Sequence, residues 1–204
     1  MFADMKISDF IETLSSKEAT PGGGTVSALS GALAASLLQM ALGITYKNLE
    51  DDKDGLFSEL QPIKKNLVSL MDSDSVAFTG VMAAYAFPKE TDDEKKERTF
   101  AIQESLKMAT KVPLDTAGLC IELIRLCSKV AAVSKKSCFS DVASALHAAK
   151  TGFRGALYNV AINLASIKDE KFASDIRDEA KSLKDWYDQN IGEIEQVFDE
   201  RLSL

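Results

Sequence analysis

The chain has 204 residues, enough to bury a proper core, and at roughly 150 residues per domain it suits one domain over residues 1–204. Apolar residues make up 46% and charged residues 27%, a globular balance far from the signature of disorder. With 24 basic against 31 acidic residues the net charge is −7, so no general field draws in nucleic acid or an anionic membrane, and an anionic ligand needs local lysines or backbone amides.

The opening MFADMKISDF mixes in acids and lacks the basic start and apolar run of a signal peptide, so the expected location is cytoplasmic. Lys6 to Leu14 reads as a short amphipathic helix, with Ile7, Phe10, Ile11 and Leu14 at helical spacing and Ser8 available as a cap. A break at Ala19 to Gly24 leads into TVSALSGALAASLLQMALGITY, an uncharged run from Thr25 to Tyr46 long enough to span a bilayer. Its Ala, Ser and Gly content, Gln39, and the acids Glu50, Asp51 and Asp52 beyond it predict instead a fully buried helix of a soluble protein. Ser27, Gly31 and Ala35, widened by Ala28, Ala32 and Ser36, give it a smooth face for another helix or a second subunit.

Glu50 to Gly55 reads as a loop. Leu56 to Tyr85 follows as a helix with Leu60, Ile63, Leu67, Leu70, Val76, Phe78, Val81 and Met82 at helical spacing, and Pro62 marks its start or a kink. Pro88 stops it, and Thr91 with Glu94 forms a capping box for a charged helix. Pro113 opens another helix to about Val133, a polar break at Lys135 to Ser140 precedes one from about Asp141 to Leu164, and the last runs from near Asp169 to near Leu202. No segment alternates with period two. The expectation is an all-α bundle of about seven helices, several long, around a buried small-residue helix.

Pro21-Gly22-Gly23-Gly24 before the long helix requires positive φ or close backbone approach, as an anion or carbonyl site at free helix amides or as a tight turn for helix packing. It is neither a dinucleotide loop nor a P-loop. Asp72 and Asp74 point in different directions on a helix, so at most one faces a buried cavity, where its pKa rises and it can act as acid or base; otherwise both are solvated. Ser140-Asp141 reads as a helix N-cap, and Asn159 and Asn163 share one helical face, where buried amides need partners. Cys120, Cys127 and Cys138 have no metal or disulfide spacing and read as reduced, buried hydrophobes, and His147 reads as structural, so no metal site is expected.

In order and spacing these pieces resemble the formiminotetrahydrofolate cyclodeaminase family: PGGGTVSALSGALAASLLQMALGITY, DSDSVAFTGVMAAYAFPK, KVPLD, Ser140-Asp141 and NVAINL. The resemblance implies a helical homodimer with a folate pocket at or near an interface, in histidine degradation and one-carbon metabolism. It implies that N10 of 5-formiminotetrahydrofolate attacks the formimino carbon and ammonia leaves, giving 5,10-methenyltetrahydrofolate, with no cofactor beyond the tetrahydrofolate carrier. A methenyltetrahydrofolate cyclohydrolase on the same fold and a non-catalytic folate-binding protein are the alternatives, and a separate formiminotransferase would load the substrate. By the resemblance Asp74 is the proton-transfer acid, Gly22, Gly23 and Gly24 set amides against the ligand, and Ser27 lines the same end. Asp141, Asn159 and Asn163 orient pterin or catalytic groups, and Lys47 meets the folate's glutamate tail. Ser134-Lys135 stands where the family commonly has Gly-Asn.

Overall fold

A computed structural model describes residues 1–48 and 51–202. Among them are six α-helices and no strand: α1 (Ile7–Leu14), α2 (Gly23–Thr45), α3 (Leu56–Tyr85), α4 (Asp92–Val133), α5 (Phe139–Leu164) and α6 (Glu170–Leu202), with single 3₁₀ turns at Phe2–Asp4 and Lys136–Cys138. The expected loop from Glu50 begins outside the described residues. Its later part caps α3, where Asp52 accepts from the amides of Leu56 and Phe57 and Gly55 takes a left-handed φ of 66°. The Thr91–Glu94 capping box forms in both directions.

The seventh helix disappears because α4 runs unbroken through Pro113 for 42 residues. A proline there has no N–H for the carbonyl of Ala109 four residues back, a defect worth about 3 kcal/mol or more in a helix interior. Asn163 of α5 supplies the missing donor: its Nδ2 reaches the Ala109 carbonyl at 2.8 Å. Two residues that look unrelated in the sequence therefore repair one helix.

Two expected caps are also corrected. Ser8 lies inside α1, whose N-cap is Lys6, and its hydroxyl turns to the neighbouring Asp9. Ser140 and Asp141 lie inside α5, which starts one residue earlier than Ser140 because the 3₁₀ turn leads directly into it. His147, read as structural, is exposed on α5.

α2 is central but is not fully buried. Its inner face, including Ala28, Ala34, Ala35, Leu38, Ala41 and Leu42, is completely covered by α3, α4 and α5. Leu33 is 53% exposed, Met40 40% and Ile44 48%, so an apolar stripe at alternating three- and four-residue steps stays open along the other side, with half-buried Leu37 between. α2 and α3 are both long and apolar enough to cross a membrane, but half of the most apolar window of α2 is covered by the protein itself.

Close approach explains the small residues. A Cβ on Gly152 of α5 would lie 2.7 Å from Cys120 Sγ and 2.8 Å from the Ser27 carbonyl, and one on Gly31 of α2 would lie 2.9 Å from the same sulfur. α2, α4 and α5 meet at this point without room for a methyl group. Cys120, Cys127 and Cys138 are free and buried, and burial pushes the Cys120 and Cys127 thiols up to about 12, where they act as hydrophobes.

α2 and α5 run antiparallel. The start of α2 faces the later half of α5, and the end of α2 meets the chain before α5, where the Lys135 amide donates to Thr45 Oγ1 and Lys135 Nζ to the Ile44 carbonyl. The molecule thus has two distinct ends along α2.

Candidate active site at the start of α2

Gly22 is the N-cap of α2 with extended backbone, and none of Gly22, Gly23 and Gly24 has positive φ, so conformational freedom does not explain the triple glycine. Contact does. A Cβ on Gly24 would lie 2.0 Å from Asp74 Oδ1 and 2.5 Å from its Cγ, so the Asp74 carboxylate of α3 occupies the volume a side chain would fill. Gly23 faces Asn159 of α5, whose Nδ2 would be 3.4 Å from a Cβ there and donates to the Gly155 carbonyl at 2.9 Å. Helices α3 and α5 thereby flank consecutive glycines at the helix terminus, where free amides favour negative charge.

Asp74 is half-buried, and the Thr25 hydroxyl donates to its Oδ2 at 3.0 Å. Burial away from water raises the Asp74 pKa, while hydrogen bonds from the Thr25 hydroxyl and amide pull it back. Such a carboxyl can hold or release a proton near the substrate. Asp72 serves elsewhere: its Oδ1 accepts from the Phe2 amide and ties the N-terminal turn to α3. The 200° between them on α3 separates these two roles.

The nine residues singled out in the sequence divide. Gly22, Gly23, Gly24, Asp74 and Asn159 come together around the start of α2. Ser27 lies just below, its hydroxyl donating to the Gly23 carbonyl at 2.7 Å beneath Gly155, which has no space for a methyl group. Asn163 is one turn beyond Asn159, with its amide nitrogen engaged by Ala109. Lys47 and Asp141 lie at the opposite end: Lys47 follows the C-terminus of α2, about 35 Å from Gly23 at 1.5 Å per residue, and Asp141 sits in the first turn of α5, about 27 Å along that helix from Asn159. Thr25 and Gly155 join the site from the structure alone. Among the described residues no three His, Cys, Asp or Glu side chains gather as a metal-holding group.

Residues 6–182 match the family model described as formiminotransferase-cyclodeaminase. The chain belongs to the formiminotransferase-cyclodeaminase family. It is 36% identical over 188 residues to a methenyltetrahydrofolate cyclohydrolase of Methylorubrum extorquens, a match covering 90% of both chains. It is 35% identical over 185 residues to the rat formimidoyltransferase-cyclodeaminase, covering 88% of this chain and 34% of that protein, so this family member spans about a third of its two-activity relative. Its fold superposes on the formiminotetrahydrofolate cyclodeaminase of Thermotoga maritima with a TM-score of 0.82 and 26% identity over 100% of this chain and 98% of the other. The family resemblance read from the motifs is thus shown, and so is the all-helical fold.

Proposed function

We propose that this protein closes 5-formiminotetrahydrofolate to 5,10-methenyltetrahydrofolate with loss of ammonia, and that Asp74 moves the proton. The observation that carries the reading is the half-buried Asp74 carboxylate seated on Gly24 at the N-terminus of α2, in a chain of this family. As N10 bonds to the formimino carbon, its proton passes to the imino nitrogen and a tetrahedral centre bearing an amine forms. The carbon–nitrogen bond to that amine then breaks, the N5 and N10 lone pairs stabilise the methenyl cation, and a proton from the Asp74 carboxyl lets the nitrogen leave as ammonia. General acid–base help of this kind is worth about 10²–10⁴ in rate. The tetrahydrofolate is the substrate's own carrier, and no further cofactor enters. Asp74→Asn should reduce methenyl formation, followed by absorbance, about 10²-fold or more. An active wild type that loses no turnover on this substitution would refute the role.

A second reading is supported by the M. extorquens cyclohydrolase, which the chain matches over 90% of both lengths. There water attacks the methenyl carbon and 10-formyltetrahydrofolate results. Decay of added methenyltetrahydrofolate with no turnover of the formimino substrate would establish that reaction instead.

The proposed working unit is a homodimer through the open stripe of α2. Lys47 and Asp141 lie far from Asp74 in one chain, but a second copy laid antiparallel along α2 would bring its own Lys47 and Asp141 ends towards Asp74. The site would then draw residues from both chains. Mixing Asp74→Asn with Asp141→Asn subunits, each inactive alone, should restore about a quarter of the wild-type activity, because half the dimers are hybrids with one intact site of two. No recovery from folded, exchanged subunits would place each site within one chain.

A further inference from the structure

α2 carries five hydroxyl side chains, and four of them bond within their own helix. Ser27, Ser30, Ser36 and Thr45 donate to the carbonyls of Gly23, Val26, Ala32 and Ala41, each four residues back at 2.7–2.8 Å. Thr25, completely buried, instead reaches across to α3 and donates to Asp74 Oδ2. The exception falls at the residue next to Gly24, the glycine that makes room for the same carboxylate.

These contacts divide the labour between two neighbours. Gly24 admits the carboxylate but exerts no directional hold on it through a side chain. Without the Thr25 hydroxyl, the Asp74 carboxylate keeps the Thr25 amide but no side-chain donor, and rotation about its Cβ–Cγ bond is a broad, soft torsion. Thr25 fixes one oxygen, and among the described residues no side chain bonds Oδ1. We propose that Thr25 is a positioning residue that anchors Asp74 Oδ2, leaving Oδ1 as the oxygen that exchanges the proton with substrate. The inference rests on the reading of Asp74 as the proton-transfer group.

Removing the Thr25 hydroxyl takes away a donor that favours the carboxylate, so the Asp74 pKa moves further up. In Thr25→Val, assayed as purified full-length protein on 5-formiminotetrahydrofolate and on methenyltetrahydrofolate, kcat should fall about 10–100-fold on whichever is turned over, with KM changed less than about twofold. The pH-rate limb that disappears in Asp74→Asn should move to higher pH. Thr25→Ser, which keeps the hydroxyl, should restore both kcat and the limb. In an Asp74→Asn background Thr25→Val should produce no further loss, since its effect passes through the carboxylate.

The proposal is overturned if folded Thr25→Val leaves the limb in place, if Thr25→Ser fails to restore it, or if the loss persists in the Asp74→Asn background. If Thr25→Val does not fold, Thr25→Ala is judged by the same readouts. Failure of the underlying reading is separately visible, because Asp74→Asn would then retain the turnover of the wild type.

Discussion

At Gly24 the atoms that a methyl group would meet belong to the end of the Asp74 side chain, which can rotate away. At Gly152 they include backbone of α2, which cannot. Alanine at the two positions should therefore have opposite consequences. Gly24→Ala should keep a melting temperature within a few degrees of wild type while losing activity about as severely as Asp74→Asn, because it displaces the carboxylate. Gly152→Ala should destabilise by about 1–3 kcal/mol in denaturant unfolding, as overpacked cores do. Asp74 itself makes a pH prediction. Burial raises its pKa, so the native state holds the proton more tightly than the unfolded chain, and the buried charge weakens the fold above the raised value. Asp74→Asn should thus gain melting temperature over wild type at pH 7, and the gain should vanish below about pH 4, the unfolded value, where both states are protonated. A gain independent of pH would exclude charge burial as its cause.

At the scale of helices, periodicity was legible and one cap with it: α3 matches its expected limits, Thr91 caps as its spacing indicates, and α6 begins one residue after Asp169, whereas Ser8 and Ser140 lie inside the helices they are expected to cap. The continuity of α4 was not, because the donor that repairs it lies 54 residues further along the chain. Pro113 looked like a helix start since nothing nearby in sequence can satisfy Ala109. The same distance made Asn163 look like an amide waiting for a ligand. Asn163→Ala should cost about 1–3 kcal/mol by leaving the Ala109 carbonyl unpaired, with KM nearly unchanged in the folded fraction. Adding Pro113→Ala, which restores a backbone N–H, should recover part of that stability. A large KM effect without loss of stability would instead place Asn163 on the substrate. Thr25 is not legible in the sequence for a related reason: hydroxyls inside helices normally bond back to their own backbone, as its four companions do, and only the position of α3 reveals the exception.

Across the whole molecule, motif order located Gly22, Gly23, Gly24, Asp74 and Asn159 in one neighbourhood, but linear order could not reveal that Lys47 and Asp141 lie at the other end of α2. That needs the antiparallel course of α2 and α5, a tertiary fact. The exposed stripe of Leu33, Met40 and Ile44 was hidden in the sequence too, since a helix without charge looks buried all round. Leu33→Glu combined with Met40→Glu should convert the proposed dimer to a monomer in sedimentation, leaving helical content unchanged and activity lost. A double variant that remains dimeric would move the interface off α2. The Pro113–Asn163 pair also bears on how such a sequence can drift. While Asn163 is present, Pro113 is free to mutate, because a residue with an N–H brings its own donor; once Pro113 is fixed, Asn163 is locked in. Lineages should therefore lose the proline before the asparagine, making the order of two substitutions, and not merely their co-occurrence, a historical trace of this helix.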